Sequence, residues 1–137
     1  MDLQANRELC YSLSEYNKKL KNNYGNVILE TAPIEKKVYP YTVFKTVRDT
    51  TNKNQNSCYG KVSQKGYRID IYAQNKGTKY SKETIADTIA EQIDDFMSFV
   101  GLERTSFNSI DFENEGTTLH LIITYSGNLD EYRRKFI

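Results

Sequence analysis

Apolar residues in this chain follow two different rhythms, and the switch between them outlines the fold. From about Leu3 to Lys21, Leu9, Leu13, Tyr16 and Leu20 recur at spacings of three and four with no proline or glycine between them, which predicts an amphipathic helix. The run Asn22-Asn23-Tyr24-Gly25-Asn26 stops it. Val27 to Thr31 reads as a short strand, and Ala32-Pro33 and Tyr39-Pro40 then mark an irregular crossing, because each proline removes a backbone donor and biases the residue before it toward extended geometry. Tyr41 to Arg48 alternates as a strand with mixed faces, and in Tyr67 to Tyr72 the residues Tyr67, Ile69 and Ile71 share one face while Arg68, Asp70 and Tyr72 share the other. Between them, Asp49 to Gly66 is polar and reads as either a long flexible loop or a protruding hairpin.

The second helix has the clearest boundaries. Ser81 is placed to cap its start, Glu83 suits the positive helix end, and Gly101 supplies the stop. Ile85, Ile89, Ile93, Phe96 and Val100 form one apolar stripe, widened by Ala86, Ala90 and Met97. Phe107 to Phe112 then reads as a strand, Glu115-Gly116 as a turn, and Thr117 to Tyr125 as a strand that turns Leu119, Leu121, Ile123 and Tyr125 inward. Gly127 to Ile137 reads as a charged tail. The expected fold class is α+β: a mainly antiparallel β-sheet with two helices packed on one face, plus the long polar loop or protruding hairpin at about 49–66.

Composition supports a single domain. The 137 residues include 32 Leu, Ile, Val and Phe side chains, enough for a real core despite a mean hydropathy of -0.70. No apolar run approaches the roughly 20 residues of a membrane helix, and the first residues lack the basic and apolar segments of a secretory signal, so a cytoplasmic setting without membrane contact is expected. Cys10 falls in the first helix and Cys58 in the polar loop, with no CxxC and no histidine near either. Cys10 is read as packing, Cys58 as incidental, and no metal site or cofactor is expected.

The net charge of +1 conceals a strong segregation. Residues 1–82 hold 15 Lys and Arg against 7 acids, whereas residues 83–131 hold Arg104 alone against 11 acids. Such a chain presents a dipolar surface if the two parts lie on different faces, and neutralises itself if they lie side by side. Glu83, Asp87, Glu91 and Asp95 recur every fourth residue, forming an acidic ridge roughly opposite the isoleucine stripe. Like charges at that spacing cost roughly 0.2–0.5 kcal/mol per pair in an isolated helix, which a cationic partner would relieve. A solvated face is the alternative. The candidate basic partners on a neighbouring subunit are Lys45, Arg48, Lys61, Arg68, Arg133 and Arg134, and the strand region around Asp111, Glu113 and Glu115 is a second acidic candidate.

Catalytic chemistry is not legible. His120 is the single histidine and lacks an identifiable nucleophile, so it is read as structural, and the sequence contains no GxSxG, HExxH, P-loop or GxGxxG. The chain is therefore read as a non-enzyme. Lys53, Tyr59, Lys61 and Lys65 in the polar loop are candidate contacts to a partner protein, or less favourably to nucleic acid, since a pI of about 7.7 is low for a dedicated nucleic-acid domain.

The order of segments carries a resemblance. Tyr39-Pro40-Tyr41-Thr42-Val43-Phe44, Tyr67-Arg68-Ile69-Asp70-Ile71-Tyr72, Lys82-Glu83-Thr84-Ile85-Ala86-Asp87, Gly101-Leu102-Glu103-Arg104-Thr105-Ser106-Phe107 and Leu121-Ile122-Ile123-Thr124-Tyr125 together resemble the tail terminator (tail completion, or head-tail joining) proteins of long-tailed bacteriophages and prophages. The resemblance runs from about Tyr39 to Tyr125 and rests on fold elements. It implies a virion assembly protein: a homo-oligomeric ring, typically a hexamer, that caps the tail tube, ends its polymerisation and offers a surface to the head. The implied partners are further copies of the chain, the tail tube protein and a head-tail connector or neck protein, with DNA only passing through the lumen. A head-side neck component and a small nucleic-acid-binding protein are the alternative readings.

Overall fold

The computed structural model describes residues 3–18, 27–29, 40–57, 60–75, 81–113, 118–130 and 135–137. Among these residues two helices, α1 (Leu3–Lys18) and α2 (Lys82–Val100), pack on one sheet built from β1 (Val27–Leu29), β2 (Tyr41–Ser57), β3 (Gly60–Gln74), β4 (Glu103–Glu113), β5 (Thr118–Asp130) and β6 (Lys135–Phe136). The strand order is β1-β2-β3-β5-β4, with β6 on β5. Every pairing is antiparallel except β1 with β2. The α+β class expected from the two rhythms is what the chain adopts.

Register explains the core. Phe44 lies beside Ile69, Ile69 beside Ile123, and Ile71 beside Leu121, so the odd-numbered residues of β3 and β5 form one apolar face. Leu9, Cys10 and Leu13 of α1 and the stripe Ile85, Ala86, Ile89, Ala90, Ile93, Phe96 and Met97 of α2 close over that face. Burial pushes the Cys10 thiol up to about 11, in keeping with a packing role. The α2 boundaries follow from local chemistry. Ser81 accepts from the Thr84 amide, while Gly101, at φ 97°, donates to Ser98 and Leu102 donates to Met97, the two bonds of a Schellman cap.

One alternative is resolved and two expectations need correction. Of the two readings of 49–66, loop or hairpin, the chain adopts the hairpin: the ladder continues through Asp49↔Lys65, Thr50↔Gln64, Thr51↔Ser63 and Asn52↔Val62. Backbone pairing does not require apolar side chains, and β3 is flanked by β5 from Val62 to Gln74, so its polar half is interior to the sheet. The strand around Phe107 is likewise longer than expected, beginning at Glu103. Finally, the described residues past Gly127, through Asp130 and again at Lys135–Phe136, belong to the sheet. Strand β5 runs to Asp130, and β6 returns against it with Leu129 opposite Phe136. Phe136 seats against the side-chain-free faces of Gly101 and Gly127 and meets Tyr67 edge-on at 6.4 Å. The expected breaks at Asn22–Asn26 and Ala32-Pro33 and the turn at Glu115-Gly116 lie outside the described residues.

Candidate functional site

The acidic end of the molecule is built by α2 and β4. Together these elements carry eight acids against Lys82 and Arg104. Glu83, Asp87, Glu91 and Asp95 are all exposed, as an acidic ridge requires. A four-residue step advances about 40° beyond a full helical turn, so the ridge drifts around the helix. Glu83, Asp87 and Glu91 therefore border a groove between α2 and β4, while Asp95 does not. Two shallow cavities of about 520 and 330 Å³ share Asp87 and Phe107 along that groove. Asp94, which the ridge spacing omits, takes the groove position in the next turn. It accepts from the Tyr125 hydroxyl at 3.1 Å and lies 3.8 Å from Arg104. Burial, and then the neighbouring Asp94 carboxylate, raise the Tyr125 hydroxyl far above its ordinary range and keep it protonated.

The basic end is the β2–β3 hairpin, with six basic residues against Asp49 and Asp70. Lys45 sits opposite Arg68, whose neighbours on β5 and β4 are Thr124 and Ser106, all on the sheet face away from the helices. A bulge at Val47 resets the alternation, so that Arg48, opposite Gly66, joins them on that face. Arg68 is partly committed within the chain: its guanidinium grips Asp70 at 2.7 and 3.0 Å. Asp70 also meets His120 Nε2 at 3.1 Å, and His120 stacks on Tyr72, which stacks on Tyr41. The histidine is thus buried in a packed polar layer.

Lys65 requires a correction. Expected as an outward partner contact, it is fully buried, with its ammonium 2.7 Å from Asp49 Oδ2. Asn6 of α1 donates to the same oxygen at 3.2 Å and accepts from the Tyr67 hydroxyl at 2.8 Å. Asp49 Oδ1 is buried with no hydrogen-bond partner among the described residues. The network fastens α1 to the base of the hairpin and takes Lys65 out of the set that a partner can reach. The backbones of Lys53 and Lys61 lie in the hairpin, but their side chains, together with Tyr59, Asp111, Glu113, Glu115, Arg133 and Arg134, lie outside the described residues.

Among the described residues β5 lies between the basic hairpin and β4, which puts β4 about 10 Å from β3 and about 14 Å from β2 at the usual strand spacing. Helix α2 covers one face, whereas Lys45, Arg48 and Arg68 sit on the other. Among the described residues no helix is long and apolar enough to cross a membrane, and no group of three or more His, Cys, Asp and Glu side chains gathers as a metal site. No protein-family model matches the chain, and no curated protein shows significant similarity to it.

Proposed function

We propose that this chain is a structural assembly protein that self-associates head to tail into a closed ring, and that the ring serves as a phage tail terminator. On this reading it caps the tail tube and presents a surface for head-tail joining. The observation that carries the proposal is the placement of an acid-rich β4 with α2 and of a basic β2–β3 hairpin toward opposite edges of one sheet. Charges separated in this way find complements in a second copy, and a heterologous contact whose rotation closes gives a ring. The resemblance in segment order supports the tail machine as the setting, and the tip of the β2–β3 hairpin, past the Val62↔Asp130 rung, is the part proposed to meet the tube or neck protein.

Two experiments test the proposal. Substituting Asp87→Lys and Glu91→Lys, both exposed and bordering the groove, is expected to leave the subunit folded and to reduce assembly in light scattering; unchanged assembly would remove the acidic groove from the interface. Replacing residues 53–61 with a two-residue turn, which keeps the Asn52↔Val62 rung, is expected to preserve folding and abolish tail capping in a complementation assay. Normal tails from that variant would sink the role given to the hairpin.

A further inference from the structure

The sheet has two long edges. Outside β4 there is no strand among the described residues, and Glu103, Arg104, Thr105, Phe107, Asn108 and Ser109 are exposed along it. On the other side β1 covers only Thr42 to Phe44, so from Lys45 onward β2 also borders no described strand, and Thr46, Val47, Arg48 and Thr50 are exposed. An edge of this length without proline, and with no described strand beside it, is a template for adding a strand. Each edge also exposes a large apolar side chain, Phe107 at 46% and Val47 at 57%.

Building on the head-to-tail reading, we infer that β4 of one copy pairs with β2 of the next, so that the sheet continues across the subunit boundary. The irregularities at Thr105 and after Ile110 leave Ser106 to Ile110 as the regular run available for the new ladder. Charge favours this pairing over β4 with β4 or β2 with β2. Glu103, opposite Ser126, lies on the same sheet face as Lys45 and Arg48, so a continued sheet brings acid and base alongside each other on that face. On the helix face, the groove bordered by Asp87, Glu91 and Phe107 opens beside the same edge. Two unlike edges make the contact heterologous, as a ring requires.

The test uses the full chain with Cys58→Ser, so that the added thiols are the reactive ones beside buried Cys10. Variants Asn108→Cys and Val47→Cys are treated with a short bismaleimide separately and mixed. The expected result is a covalent dimer in the mixture and none from either variant alone. Assembly seen by light scattering without linkage in the mixture would overturn the edge pairing and leave the ring reading standing. Linkage of Asn108→Cys alone would overturn it in favour of β4 with β4. A protein that stays monomeric at every concentration overturns both. Hydrogen exchange on the unsubstituted chain reads the same contact without any substitution: slower exchange in 106–110 on assembly is expected, and unchanged exchange in an assembled sample overturns the inference.

Discussion

Substituting Lys65→Met leaves the Asp49 carboxylate facing Asn6 without its cation. The Lys65 side chain is fully buried and that of Asp49 is 11% exposed, so solvent cannot replace the lost ammonium without opening the base of the hairpin. Removing one partner of a buried ion pair costs about 3–5 kcal/mol, chiefly because the remaining charge is desolvated and uncompensated. Methionine keeps most of the apolar stem, which places the expected loss near the lower figure, about 3 kcal/mol, with a fall in Tm of roughly 10 °C for a chain of this size. The single Asp49→Asn is expected to cost a comparable amount by stranding the ammonium. The double variant should recover about 2 kcal/mol of the summed losses, because neither charge then remains and the introduced amide oxygen can still accept from Asn6. Urea unfolding followed by far-ultraviolet circular dichroism measures all three, with an unchanged m-value showing that the native state stays compact. A Lys65→Met variant within about 0.5 kcal/mol of the parent, the range of ordinary surface substitutions, would refute the buried network. It would also return Lys65 to the surface as a partner contact.

Two further stability predictions follow from the packing. Gly101→Ala forces a side chain onto a residue at φ 97° and sets its Cβ 3.1 Å from that of Phe136, so a loss of about 1–2 kcal/mol is expected by urea unfolding; a neutral result would mean that the helix ends differently. Cys10 and Tyr125 both have raised native-state values, so the unfolded chain releases these protons first as pH rises. Their contribution is complete below about pH 9 and declines above it, through about 11 for Cys10. Cys10→Ala should flatten the alkaline fall measured by unfolding at pH 8 to 11, and an identical fall in both proteins would contradict the assignment.

Helix α2 was fully readable from sequence because its signals are local: a serine cap, an apolar stripe at helical spacing, and a glycine stop within twenty-one residues. The hairpin was only half readable. Asp49 to Gly66 carries no apolar alternation, and what holds it in the sheet is pairing with β5 some sixty residues later, which leaves no mark in the local pattern. Lys65 looked solvent-facing for the same reason: its partner lies across the hairpin and the hydrogen-bonding Asn6 lies 43 residues before that partner. Strand β6 spans two residues, too short for any periodicity, and its anchor depends on two distant glycines. The acidic ridge was visible as a spacing of four, and helical drift alone would have separated Asp95 from the groove. Asp94 had no such signal, since its role depends on Tyr125 and Arg104 from other strands.

Self-assembly through opposed charges is the claim on which the proposed function rests. Its most direct test is the solution mass of the chain by light scattering, alone and as the Asp87→Lys/Glu91→Lys variant, over a range of concentration and salt. A ring-sized species in the parent, weakened by salt and lost in the variant, is the predicted result. A parent that remains monomeric throughout, or an assembly indifferent to both salt and charge reversal, would contradict it.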